Sequence, residues 1–239
     1  MQKIIIITVI FIINIICFSC QKEPQIESEK IWLHQANNIQ KAQCFQDKYA
    51  GLEIDITYLD SLQIFIVFHG GESFEPNPVT LEQWLEEVGN VDKLGLWFDF
   101  KNLNSNNQMS ALNELNRLCS KYNIDKSKLI IESSAAQNLI IFQEANYITS
   151  YYIPKFDPQK TSKRNIQEYT LKIRKAIESY NITTISGYHY QYQFMRDSFP
   201  DKDVLIWYIH NNQIIKNKYI QITNNDHKVK VLLLAEDKY

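Results

Sequence analysis

The chain has 239 residues and a formal net charge of −2, a length that suits one sizeable domain, since domains usually run ~100–200 residues and barrels somewhat longer. With no basic patch and no long charge run, the composition argues against nucleic acid as a partner. Past the first twenty residues, no stretch is apolar over the ~20 positions needed to cross a bilayer.

The N-terminus stands apart. Lys3 precedes the apolar run Ile4 to Phe18, which meets small Ser19 and Cys20 and then polar Gln21-Lys22-Glu23-Pro24. A basic start, a short apolar core and a small residue before a polar break read as an export signal. The position of Cys20 makes it resemble a bacterial lipoprotein signal. That resemblance implies removal of residues 1–19, a lipidated Cys20 anchoring the protein to the membrane of a bacterial cell envelope, and a polar tether over 20–29. An uncleaved signal anchor is the alternative, and the run is short for one. Cys44 and Cys119 remain, each on a predicted helix; they either pair in an oxidising compartment or serve as small core residues, the commoner case for distant cysteines. Neither is assigned a catalytic role.

Residues 30–239 alternate between strand and helix patterns. Strands are predicted near 30–34, 51–58, 63–69, 94–101, 128–133, 147–153, 183–188, 203–209 and 229–235. Helical spacing lies over Ile39 to Lys48, Leu81 to Glu87, Met109 to Tyr122, Ala135 to Ala145 and Ile166 to Tyr180. Leu112, Leu115, Leu118 and Cys119 form one stripe, and Thr80 with Gln83 reads as a capping box. After the strand ending at His210 the pattern weakens: Asn211 to Lys218 is polar and Tyr219-Ile220-Gln221-Ile222 alternates as a strand does, so the last βα unit is expected to be short or extended.

Repeated alternation of this kind means a parallel sheet, either open and doubly wound or closed into a barrel. No Gly-rich phosphate loop follows the first strand; His34-Gln35-Ala36-Asn37-Asn38 stands there instead, against a dinucleotide fold. Polar residues at the ends of several strands favour a (β/α)8 TIM-type barrel, whose sites gather at one rim. Four apolar runs carry such residues: Ile31-Trp32-Leu33-His34, Leu52-Glu53-Ile54-Asp55-Ile56, the run from Ile64 to His69, and Leu96-Trp97-Phe98-Asp99-Phe100-Lys101. Residues two apart share a strand face, so Glu53 sits with Asp55 and Asp99 with Lys101. Since Leu52, Ile54 and Ile56 must pack on helices, Glu53 and Asp55 point into the barrel. Carboxylates so close repel, and a divalent cation is the natural means of keeping them ionised. Asp99 and Lys101 also suit a structural ion pair, and His34 and His69 taken singly suit the core as well as a site.

The order His34…Asn38, Glu53-x-Asp55, His69 and Asp99-x-Lys101 resembles the glycerophosphodiester phosphodiesterase and phospholipase-C-like barrel superfamily. The runs Thr80-Leu81-Glu82-Gln83-Trp84-Leu85 and Leu96 to Lys101 look most like its menorin-type branch. The resemblance covers Ile31 to Leu103, and beyond that rests on strand–helix order and on Trp207, placed where these barrels put an aromatic on the seventh strand. It implies that His34 and His69 are the acid–base pair, that Glu53, Asp55 and Asp99 bind Ca2+ or Mg2+, and that Lys101 meets the phosphate. Trp207 is then a substrate contact, and Glu132, at the end of the next strand, is read as a further substrate contact or a further metal contact. Three positions depart from the family pattern: Gln35-Ala36 where Arg-Gly is usual, Gly70-Gly71 where Asp follows the second His, and Asp99 where Glu is common. His189, amid Tyr188, Tyr190 and Tyr192, is read as a rim or surface residue beside aromatics that could line the substrate mouth. His210 and His227 are read as solvent-exposed.

The function expected is metal-dependent hydrolysis of a small-molecule or lipid-derived phosphodiester, with a glycerophosphodiester as the case the resemblance suggests. The alternative is a catalytically inactive barrel lipoprotein that binds a phospholipid headgroup or a partner; a metal-free phospholipase-C-like enzyme is disfavoured by the number of acids.

Overall fold

The computed structural model describes residues 28–70, 77–210 and 212–236; the expected signal segment, Cys20 and most of the expected tether lie outside them. Eight parallel strands close into a barrel: β1 (Ile31–Leu33), β2 (Gly51–Leu59), β4 (Gly95–Phe100), β5 (Leu129–Ser133), β6 (Ile148–Tyr152), β7 (Thr184–Tyr188), β8 (Asp203–Tyr208) and β9 (Val229–Leu234). Closure is made by β1, which pairs with β2 on one side and β9 on the other. Strand β3 (Ile64–Val67) runs antiparallel on β2, from Ile56↔Val67 to Leu59↔Ile64. Only residues 60–63 connect the two strands, which leaves room for a hairpin turn but not for the crossover a parallel partner needs.

Around the barrel lie α1 (Ile39–Phe45), α2 (Leu81–Val88), α3 (Gln108–Lys121), α4 (Ala136–Glu144), α5 (Lys163–Ser179), α6 (Tyr192–Ser198) and α7 (Gln213–Asn225). The Thr80 hydroxyl accepts the Gln83 N–H at 3.0 Å, whereas the Gln83 amide turns to Glu87, so only half of the expected capping box forms. The expectation for the last βα unit is corrected. Asn212 caps a regular helix by accepting from the N–H groups of Ile214 and Ile215. Ile215, Tyr219, Ile222 and Thr223 face the barrel at helical spacing. The strand-like alternation of residues 219–222 hides that stripe because one of its members is the polar Thr223.

Alternation along the strands divides the apolar residues into two layers. Leu52, Ile54, Ile56, Leu96, Phe98, Phe100, Ile131 and Leu232 pack outward among the helices, while Trp32, Trp97, Ile130, Leu205, Trp207, Val231 and Leu233 fill the interior. At the end where the strands start, the Trp32 indole lies over the backbone of two glycines. A Cβ on Gly51 or Gly95 would come within 2.4 or 2.3 Å of that ring. The indole N–H donates to the Glu29 carbonyl at 3.0 Å, fixing the plug and leaving the opposite, C-terminal rim open for chemistry. Cys119 is a buried free thiol that takes the Tyr147 hydroxyl, so it does not pair with Cys44, which packs half-buried against the core.

Candidate active site

Register brings the acids together. Asp55 on β2 is level with Asp99 on β4, and Asp99 with Glu132 on β5. Glu53 lies two residues below Asp55 on the same inward face. Glu53, Asp55 and Asp99 are all buried, and each offers one carboxylate oxygen within 4.8 Å of the others.

Two histidines flank this cluster. His34 follows β1, with its N–H on the Leu234 carbonyl and its own carbonyl accepting from Lys41 Nζ at 3.0 Å. Its Nε2 is 3.8 Å from Glu53 Oε2. Burial outweighs the nearby Asp55 charge and lowers its pKa to about 4, so His34 is neutral at neutral pH. His69 lies just past β3, anchored through the Phe68 N–H on the Asp55 carbonyl, with Nδ1 3.0 Å from Asp55 Oδ2 and most of the ring in solvent.

Lys101 completes the group, with Nζ 2.6 Å from Asp55 Oδ1 and a further contact to Asp99 Oδ2. Burial acts to lower its pKa, but the Asp99 and Asp55 charges prevail and hold it above the usual lysine value. Burial would raise Asp55; Lys101, Asn37 and His69 together keep it below the carboxylate range. Burial raises Glu53, aided by the charges of Asp55 and Asp99, and raises Asp99 against the pull of Lys101. Without a cation, Asp55 is therefore the acid of the cluster that ionises most readily. An ionised carboxylate only accepts, so the His69 nitrogen facing Asp55 carries the proton and Nε2 points away from the cluster.

The loop after β1 supplies two contacts that sequence reading missed. Asn37 Nδ2 donates to Asp55 Oδ2 at 2.6 Å while its Oδ1 accepts the Asp55 N–H at 2.8 Å. The Gln35 N–H, from a residue at φ +53°, donates to Glu53 Oε2 at 2.7 Å. Their only sequence signal is a polar run directly after a strand, which does not say what it touches.

Trp207 stands beside His34 with ring centroids 6.3 Å apart. It stacks on Tyr152 at 4.5 Å and meets Tyr188 edge-on, so Tyr188 joins the aromatic wall, whereas Tyr192 turns away to Asp226. Glu132 is fully buried behind Asp99. Its Oε1 accepts the Ser186 hydroxyl at 2.8 Å, and Oε2 has no partner among the described residues. Burial, then the Asp99 charge, pushes its pKa well above the usual glutamate value. The folded protein thus binds a proton that the unfolded chain releases, and Glu132 weakens stability as pH rises beyond the ordinary glutamate range. Glu132→Gln, which mimics the neutral acid, is expected to be more stable than wild type at about pH 8 and to differ little at about pH 4. Urea unfolding of the metal-free proteins at both pH values checks this; a stability difference independent of pH would count against a raised pKa.

His189 is not at the surface: it is 6% exposed and lies edge-on to Tyr208 and Tyr219, 5.0 and 5.1 Å away. Tyr219 comes from α7, the helix whose pattern reads as a strand, which is why this enclosure was not apparent. His210 and His227 are exposed. A separate cavity of about 720 Å³ opens at the N-terminal end of the barrel among Trp32, Lys93, Lys128 and Asp203, and none of the site residues above lines it.

No known protein-family model and no curated protein matches the chain. Solved structures do. A phosphodiesterase from Oleispira antarctica, in complex with the product sn-glycerol-3-phosphate, superposes with a TM-score of 0.60 at 11% identity over 86% of this chain and 92% of that one. A glycerophosphodiester phosphodiesterase from Parabacteroides distasonis gives 0.59 at 12% over 85% and 91%. One from Thermotoga maritima gives 0.57 at 12% over 87% and 95%. These neighbours bear on the superfamily fold and not on its menorin-type branch. The chain is built as the (β/α)8 barrel that glycerophosphodiester phosphodiesterases share.

Proposed function

We propose that this protein hydrolyses a phosphodiester, a glycerophosphodiester in the first instance, using Ca2+ or Mg2+, as a lipid-anchored protein of a bacterial cell envelope. The observation that carries the reaction is the joint placement of both histidines on the acid cluster, His69 on Asp55 and His34 next to Glu53. The product named for the Oleispira antarctica neighbour supports glycerol phosphate as the product class, and the Cys20 signal pattern supports the anchor.

The donor set suits a hard cation: three carboxylate oxygens within 4.8 Å and no nitrogen or sulfur. Glu53, Asp55 and Asp99 would hold it, and a bound divalent ion there neutralises phosphate oxygens and acidifies the attacking hydroxyl. His34, kept neutral by burial, takes the proton from that hydroxyl as its oxygen forms the new bond to phosphorus. His69, with Nδ1–H fixed on Asp55, carries on Nε2 the proton given to the leaving alcohol as the old P–O bond breaks. Trp207, Tyr152 and Tyr188 offer an apolar wall to the alcohol.

The test is turnover by the purified protein. Glycerophosphodiesters incubated with Mg2+ or Ca2+ are expected to release glycerol phosphate, and excess chelator to stop the release. Metal binding without turnover would instead favour the non-catalytic barrel, a reading supported by Gln35, which brings only its backbone N–H to the site where the family carries a guanidinium. Turnover unaffected by chelator would remove the metal from the account.

A further inference from the structure

We propose that Lys101 is a built-in counter-cation that a divalent ion must displace, and that its release is what makes the ammonium available to the substrate phosphate. The inference rests on the metal-dependent reading above and adds a gate to it.

The oxygen atoms of Asp55 are already divided. Oδ2 accepts from Asn37 Nδ2 at 2.6 Å and meets His69 Nδ1 at 3.0 Å. Oδ1 is the oxygen left for a cation, and it is the one 2.6 Å from Lys101 Nζ. The same ammonium also holds Asp99 Oδ2. A Ca2+ or Mg2+ ion sits ~2.0–2.6 Å from its carboxylate oxygens, so an ion using Asp55 Oδ1 would share with Nζ a space too small for two cations. In a site this poorly hydrated their repulsion is strong.

Lys101 has the means to leave. Its backbone N–H stays fixed on the Ile56 carbonyl at 2.9 Å, while the side chain is 23% exposed and has a four-carbon stem with rotatable bonds. It lies just past the C-terminal end of β4, at the rim where substrate enters. Without metal, Lys101 neutralises Asp55 and Asp99 and has no free charge for an anion. With metal, those acids are neutralised by the ion and Lys101 is freed. Metal and phosphate should therefore favour each other's binding through this one side chain, and competition from Lys101 should hold metal affinity below what the acids alone would give.

Calorimetric titration of Mg2+ and Ca2+ into wild type and Lys101→Met, a neutral side chain of similar length, is expected to show tighter binding in the variant by about tenfold or more, with each tenfold corresponding to ~1.4 kcal/mol. Equal or weaker binding in the variant would overturn the gate. A second readout needs no variant: acylation of wild-type amines by an N-hydroxysuccinimide ester, located by mass spectrometry. Lys101 is expected to be protected in chelator and labelled once metal is added, with exposed Lys163 unchanged. Labelling of Lys101 that ignores the metal would likewise overturn it. If wild type binds no divalent ion, the metal-dependent reading falls and the gate with it; if it binds the ion and turns over substrate with Lys101 still protected, only the gate falls.

Discussion

His34→Ala and His69→Ala are each expected to lower kcat/KM for a glycerophosphodiester by about 10²–10⁴-fold, the usual cost of losing a positioned general acid or base. The two losses differ in what accompanies them. The His69 side chain is 62% exposed and, among the described residues, its ring nitrogen contacts Asp55, so its removal should leave thermal unfolding nearly unchanged. His34 is half-buried beside Trp207 and Glu53; His34→Gln serves as a control that keeps most of the volume and cannot take the proton as imidazole does. Steady-state kinetics with thermal unfolding of the same samples separates chemistry from folding. Near wild-type turnover in either alanine variant would remove that histidine from the acid–base pair.

The second large effect is the response to metal. A ligand that binds only the native state adds RT ln(1 + [L]/Kd) to stability, about 2.7 kcal/mol at a hundredfold excess over Kd. The melting temperature should rise with Ca2+ or Mg2+ and return to its starting value in chelator. Asp55→Asn is expected to erase that rise. Repulsion between the acids, taken alone, suggests that this variant would gain stability without metal. The structure argues otherwise, because Asp55 is the carboxylate that Lys101, Asn37 and His69 all contact. Its loss leaves the partly buried ammonium with Asp99 as its one carboxylate among the described residues and should cost about 1–3 kcal/mol in chelator. A purely structural salt-bridge network would share that cost but show no metal response in wild type.

Much of this site was legible because a barrel strand has two faces with different neighbours. Once Leu52, Ile54 and Ile56 are assigned to the helices, Glu53 and Asp55 have only the interior left to face, and the same alternation places Asp99 inside. What could not be read is whatever depends on register or on loops. That Asp55 lies level with Asp99, and so shares Lys101 with it, is a property of how β2 and β4 slide against each other. Asn37 is close in sequence to His34, yet its double hydrogen bond to Asp55 exists only because the loop after β1 folds over the end of β2. Helix α7 eluded the pattern because a polar threonine sits in its buried stripe, and the enclosure of His189 went with it. The antiparallel β3 was legible as a strand but not as a hairpin partner, although the brevity of residues 60–63 carried that information.

In the proposed mechanism Glu53, Asp55 and Asp99 hold a divalent cation at which His34 and His69 act on a phosphate ester. Crystals of the protein grown with Ca2+ or Mg2+ and soaked in glycerol 3-phosphate test it most directly. An ion bonded to all three carboxylates is expected, with the phosphate against that ion and both imidazoles within hydrogen-bond reach of phosphate-ester oxygens. Glycerol phosphate bound elsewhere, or the three acids left without an ion at saturating metal while Lys101 stays between Asp55 and Asp99, would contradict it.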